Sequence, residues 1–180
     1  MKLMIASDIH GSAYFCQQLV DRFHAEKPTK LLILGDVLYH GPRNPLPQDY
    51  DTQKVAELLN TIAEHIIWVK GNCDADVDQW LLNFPMSQNA TLFVDGKTIF
   101  ASHGHVHCKD TPPALAKGDI LVNGHFHVPT AEVFGNDNLY VNCGSVSIPK
   151  QNSPHSYLVL QDNTFVWKDL QGQIYKTYQI

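Results

Sequence analysis

The stretch Leu3-Met4-Ile5-Ala6-Ser7-Asp8-Ile9-His10-Gly11 decides how this chain begins to fold. Four apolar residues in succession read as a strand buried on both faces. The polar turn after them leads into residues 12–25, where Phe15, Leu19, Val20 and Phe23 recur at helical spacing. Residues 31–34 repeat the buried-strand pattern and end at Gly35, so the chain opens on a β-α-β unit. Pro42, Pro45 and Pro47 mark a loop, residues 53–65 return to helical spacing through Val55, Leu58, Leu59 and Ile62, and residues 66–69 supply a third strand. A parallel sheet is being built.

The second half is rich in strands instead. Residues 91–94, the turn Asp95-Gly96 and residues 98–101 read as a hairpin, and further strands are expected at 120–122, 131–134, 139–141, 157–160 and 164–167. Two mixed sheets packed face to face with helices outside would bury both halves in one core. The expected fold is therefore a four-layer α/β/β/α sandwich. A chain of 180 residues, 44% hydrophobic and 17% charged, is long enough for that core and reads as one domain over residues 1–180. The late aromatic residues Phe165, Trp167, Tyr175 and Tyr178 are expected to fill a core more than an interface.

Composition narrows the function. A formal net charge of -5 offers no polycation to grip a nucleic-acid backbone, so nucleic acid is not expected as a stable partner. The apolar run 3–6 is far shorter than a signal-peptide core or a membrane span, which predicts a cytoplasmic protein with no membrane partner. Cys16, Cys73, Cys108 and Cys143 are scattered and read as free thiols. Of the ten histidines, His103, His105, His107, His125 and His127 crowd into one short stretch, and such bunching points to metal. His24, His65 and His155 lie outside every motif.

Five polar motifs stand where an apolar strand ends: Asp8-Ile9-His10-Gly11, Gly35-Asp36, Gly71-Asn72-Cys73-Asp74, His103-Gly104-His105 and Gly124-His125-Phe126-His127. In open α/β sheets the loops beyond the carboxyl ends of strands build the ligand site, so the five can converge on one cleft. Each alone has a plainer reading: Asp8 as a helix cap, Gly35-Asp36 and Asn72 as turn residues, His127 as a hydrogen-bonded histidine. Together they make a carboxylate, imidazole and amide set without thiolate, which suits Mn, Fe, Zn or Mg in a catalytic site. His125 and His127, two apart, are expected to face the cleft while Phe126 points into the core.

On these motifs the sequence resembles the calcineurin-like metallophosphoesterase superfamily, whose pattern runs D-x-H, G-D, G-N-x-[D/E], H and G-H-x-H. Within it the chain looks closest to the small phosphodiesterases of the YfcE type, given Gly35-Asp36-Val37-Leu38, Gly71-Asn72-Cys73-Asp74 and Asn142-Cys143-Gly144-Ser145-Val146-Ser147-Ile148-Pro149. The resemblance covers residue 3 to about residue 150. It implies a phosphodiesterase acting on a small phosphoester with a water or hydroxide shared by two divalent ions, manganese first, with Fe, Zn, Mg, Ni and Co as alternatives. It further implies Asp8, His10 and His127 as ligands of one ion, Asn72, His103 and His125 of the other, Asp36 as the bridge, and a homodimer or homotetramer. Relatives that serve as non-catalytic scaffolds replace ligand histidines, whereas all seven positions are filled here; a phosphomonoesterase or phosphoprotein phosphatase of the same fold is the other alternative.

The remaining assignments are auxiliary. Asn72 is also placed to orient a phosphate oxygen. Asp74 is placed either to accept hydrogen bonds that position catalytic groups or to cap a helix at 77–82. His105 is placed either to touch substrate or to face solvent. Tyr39, His40 and Arg43 are expected to form a rim around the leaving group, with Arg43 the best phosphate gripper. The chain departs from the family at Cys73, where many relatives carry a histidine thought of as the general acid, and at Cys143, where proline is more usual. A thiol beside two cations is expected to lose its proton and to donate none.

Overall fold

The computed structural model describes residues 1–94 and 96–180. Its first sheet has seven strands, ordered β12-β11-β10-β1-β2-β3-β4: β1 (Leu3–Ala6), β2 (Lys30–Ile33), β3 (Ile66–Val69), β4 (Met86–Ser87), β10 (Ser156–Gln161), β11 (Thr164–Asp169) and β12 (Ile174–Gln179). Strands β1 to β4 pair in parallel, and β10 to β12 extend the sheet antiparallel from β1. The second sheet has five, ordered β5-β6-β7-β9-β8: β5 (Ala90–Val94), β6 (Lys97–Ala101), β7 (Ile120–Asn123), β8 (Thr130–Phe134) and β9 (Asn138–Asn142). Strands β6, β7 and β9 are parallel to one another and both edges are antiparallel. Both sheets are mixed, as expected.

Alternation along β1 explains the layering. Met4 and Ala6 pack with Leu31, Ile33 and Trp68 against Cys16, Leu19, Val20, Val55 and Leu59 of the helices α1 (Ala13–Glu26) and α2 (Thr52–Asn60). Leu3 and Ile5 face the other way and meet Leu32, Leu34, Ile99, Ala101, Val122, Val141 and Phe165 between the sheets. Each such buried aliphatic side chain contributes about 1.5–3 kcal/mol, so a strand apolar on both faces is stable only inside this sandwich. On the outer face of the second sheet the cover is the irregular segment 102–119: His107 meets the Phe100 ring edge-on, and Asn138 donates to the Ala116 carbonyl.

Local chemistry sets the element ends. Ser12 caps α1 by accepting from the Phe15 N–H, and Asp51 caps α2 by accepting from Lys54 N–H at 2.9 Å. The helical pattern over 53–65 does not run through: Thr61 Oγ1 donates to the Leu58 carbonyl at 2.6 Å, Ile62 leaves helical backbone, and a 3-10 turn at Ala63–His65 leads into β3. Asp95 of the expected hairpin turn lies outside the described residues. Phe165 and Trp167 are fully buried as expected, and Trp167 Nε1 donates to the Asn142 carbonyl at 2.9 Å, tying the sheets together. Tyr175, on the edge strand β12, is 37% exposed and fills no core. No helix among the described residues is long and apolar enough to cross a membrane.

Candidate metal centre

Parallel strands β1, β2 and β3 of one sheet and β6 and β7 of the other end on the same side, and the turns beyond them carry Asp8 and His10, Asp36, Asn72, His103, and His125 with His127. The turns are tied to one another: Asp8 N–H donates to the Gly35 carbonyl at 3.0 Å, His10 N–H to the Asp36 carbonyl at 2.8 Å, and His125 N–H to Asp8 Oδ2 at 3.0 Å. The hydroxyls of Ser145 and Ser147 both donate to the Asp8 carbonyl at 3.0 Å. These bonds hold strained backbone. Asp8, His10, Asp36, His125 and His127 all have φ between 50° and 62°, a region costing an L residue about 1 kcal/mol or more. Gly71 is required for a different reason: a Cβ there would stand 2.1 Å from Asp36 Oδ1.

Three imidazoles are oriented the same way. Nδ1 of His10 faces the Tyr39 carbonyl at 2.9 Å, Nδ1 of His103 the Leu34 carbonyl at 2.6 Å, and Nδ1 of His127 the Ile148 carbonyl at 2.5 Å. A carbonyl only accepts, so each Nδ1 carries a proton and each Nε2 is turned inward. Those Nε2 atoms converge: His127 lies 3.2 Å and His10 3.5 Å from Asp8 Oδ1, and His103 lies 3.4 Å from Asp36 Oδ2. Asn72 Oδ1 and His125 Nδ1 both approach His103 Nε2, at 3.0 and 3.1 Å.

The electrostatics call for positive charge. Asp8 is fully buried and Asp36 nearly so. Burial pushes both carboxyls up, but the imidazoles of His10 and His127 beside Asp8, and of His103 beside Asp36, outweigh it and hold both below their ordinary values. Burial would lower His103, yet the Asp36 hydrogen bond and the two carboxylate charges raise it to about 9. Burial and then the His103 charge bring His125 down to about 4. Asp8 Oδ1 and His10 Nε2 are buried and lack any hydrogen-bond partner. Two inward-facing buried polar atoms without a hydrogen-bond partner, one of them a carboxylate oxygen, fit a cation. Ligand atoms of Asp8, His10 and His127, of Asp8, Asp36 and His103, and of His10, Asp36 and Cys73 lie within 4.8 Å of one another in each group.

A sequence model of the calcineurin-like phosphoesterase superfamily domain matches residues 1–164. The chain belongs to the calcineurin-like phosphoesterase superfamily. It is 46% identical over 164 residues to the phosphodiesterase YfcE of Escherichia coli K12, covering 91% of this chain and 89% of that one. The solved structure of the E. coli phosphoesterase YfcE superposes with a TM-score of 0.95 at 43% identity over 100% of both chains. A Streptococcus pneumoniae protein described as a predicted phosphoesterase shares the fold, at a TM-score of 0.62 and 22% identity over 98% of this chain and 96% of its own. The chain is thus a metallophosphoesterase, with the two mixed sheets of that family.

Around this phosphoesterase centre the other sequence candidates divide. A cleft of about 420 Å³ is lined by Asp36, Asn72, Cys73, His125 and His127, and Arg43 lines it too. Tyr39 and His40 do not. The His40 ring stands edge-on to Tyr50 at 5.3 Å, while Tyr39 contributes its carbonyl to His10. His105 is exposed and also lies outside the lining, its ring 5.4 Å from that of His103. Asp74 caps no helix: both its oxygens accept N–H donors from the turns that carry Asp36 and Asn72, and the 3-10 helix at Asp76–Trp80 uses Asp78 to accept from Ala75 N–H. With no cation bound, burial and then the Asp36 carboxylate push the Cys73 thiol up to about 12; the expected loss of its proton applies with two cations beside it.

Phe126 does not point into the core. It is 42% exposed and lines the cleft, because the left-handed backbone at His125 and His127 abolishes the alternation of an extended strand. Lys150 also lines the cleft and was absent from the sequence candidates. Its N–H donates to the His127 carbonyl at 3.1 Å, and it directly follows the strand-end stretch 142–149. No local sequence signal marks Lys150, because that bond joins residues far apart in the chain.

Proposed function

We propose that this metal-dependent phosphodiesterase holds one divalent cation with Asp8, His10 and His127 and a second with Asn72, His103 and His125, Asp36 being shared between them. Two such cations lower the pKa of a shared water toward neutrality and offset charge on the phosphate oxygens. Asp36 suits the shared position because its Oδ2 lies 3.7 Å from His10 Nε2 and 3.4 Å from His103 Nε2, one proposed ligand of each ion. The mixed oxygen and imidazole donors accept Mn, Fe, Zn or Mg, and manganese is put first on the family resemblance. Cys73 offers no imidazolium, and so no strong general acid at that position. Arg43 and Lys150 bring two cations to the cleft mouth, where they grip the substrate's phosphate oxygens. The four unpaired cysteines suit a reducing cytoplasm.

The observation that carries this reading is the common orientation of His10, His103 and His127, with Nδ1 on carbonyls and Nε2 toward two buried carboxylates. The test is metal content and turnover of bis(p-nitrophenyl) phosphate by wild type and Asp36→Asn. Wild type is expected to carry about two ions per chain, and the variant to lose at least one ion and nearly all turnover while its fold persists. Fully active wild type with only trace metal overturns the reading.

A further inference from the structure

A second groove, of about 330 Å³, lies beside the metal cleft, and Phe126 lines both. The groove is walled by Val128, Thr130 and Tyr140 and rimmed by Lys109, Asp110 and Glu132. From these features, and resting on the phosphodiesterase reading above, we infer that the groove receives a planar aromatic substituent of the phosphodiester, stacked on Phe126.

Three observations carry this. First, Phe126 is not a side chain that failed to find the core. It sits between two left-handed histidines, its N–H donates to the Gly124 carbonyl at 2.6 Å, and its ring is braced edge-on by the His125 ring at 5.1 Å and 76°. A large apolar surface is thus fixed at the mouth of the site, and aromatic faces of this kind bind other rings. Second, the groove and the metal cleft share Phe126 as a wall, so an occupant can be covalently attached to a phosphate at the metal centre. Third, its charge disfavours a second anion: Lys109 is held by Glu132 at 2.8 Å and Asp110 stands beside it, leaving no unpaired cation among these rim residues for another phosphate. An uncharged ring is the occupant left. The ring can belong to a nucleobase or to a simple aryl ester, since either presents a flat π face.

The experiment compares two diesters with one leaving group, bis(p-nitrophenyl) phosphate and methyl p-nitrophenyl phosphate, on manganese-loaded wild type, Phe126→Ala, Phe126→Leu and Phe126→Tyr. Wild type is expected to prefer the bis-aryl diester in kcat/KM. Phe126→Ala and Phe126→Leu should lower that preference about tenfold, the size of a lost ring-stacking contact, and Phe126→Tyr should keep it. In a second arm, calorimetry on the metal-free protein measures diphenyl phosphate against dimethyl phosphate, and Phe126→Ala should abolish the preference for the phenyl ester. Thymidine 5'-(p-nitrophenyl phosphate) separates the sources: a Phe126-dependent preference for it over the bis-aryl diester assigns the groove to a nucleobase, and the reverse order to an aryl group. A preference unchanged by Phe126→Ala in both arms overturns the subsite. Absent turnover with an intact, Phe126-dependent binding preference overturns the hydrolase reading and leaves the subsite standing.

Discussion

Replacing Asp74 with asparagine changes little in shape and tests how the centre is held. Asp74 Oδ2 accepts from the N–H groups of Asp36 at 2.9 Å and Gly71 at 2.7 Å and from Trp68 Nε1 at 3.3 Å, and Oδ1 accepts from Val37 N–H at 2.8 Å. An asparagine that keeps its oxygen at the three-donor position turns its NH2 toward Val37, leaving a buried donor unmet at about 1–3 kcal/mol. The other three bonds lose their charge assistance, which makes such bonds roughly twice as strong as neutral ones. Against this, burial and the nearby Asp36 carboxylate push Asp74 above the usual carboxylate range, so neutralising it returns part of the loss. The net is a destabilisation of about 2–3 kcal/mol, which for a chain of this length lowers Tm by about 4–12 °C. Because Asp36 and Gly71 supply two of the donors, metal affinity should fall as well. Thermal melts by circular dichroism and metal titrations of the two proteins measure both. A Tm within about 1 °C of wild type, with metal affinity unchanged, refutes the claim that Asp74 organises these turns.

Glu26 lies between Lys2 and Lys168 and accepts from the Tyr157 hydroxyl at 2.9 Å; burial would raise its pKa, but the Lys168, Lys2 and Tyr157 contacts bring it down to about 2. Because the folded value lies below the unfolded one, this stabilisation is complete above about pH 4.5 and is lost as pH falls toward 2; partial exposure of the lysines limits it to about 1–2 kcal/mol. Urea unfolding of Glu26→Gln should therefore show a shallower loss of stability from pH 5 to pH 3 than wild type, and parallel curves would dismiss the network. At Cys73, which supplies no imidazolium, turnover of aryl diesters should depend steeply on leaving-group pKa, and Cys73→His should flatten the plot of log kcat against that pKa; a variant as steep as wild type shows that Cys73 is not where an acid is missing.

The sequence by itself determined the alternating strands and helices of the first half, the expectation of two sheets and the strand-end motifs. Apolar runs such as 3–6 and 31–34 and helical spacing such as Phe15, Leu19 and Phe23 are local signals, and burial on both faces has few solutions in a chain of this length. The strand-end motifs were legible for the same reason, since parallel strands bring their ends to one side; choosing seven candidate ligands among their residues took the resemblance to the family. Tertiary structure alone decided where side chains point when the backbone departs from regular geometry. The left-handed turn that puts Phe126 at the surface is fixed by bonds from His125 to Asp8 and from His127 to Ile148, partners 117 and 21 residues away. Asp74 organises Asp36 because β2 and β3 are neighbours, and His40 leaves the cleft because Tyr50 offers it a ring to pack against. Edge strands β4 and β12 escaped notice because a strand paired on one side needs little hydrophobic pattern of its own. Lys150 faces the cleft for a reason no local pattern carries: its N–H is held by the His127 carbonyl, across a turn that exists only when the two sheets are packed together.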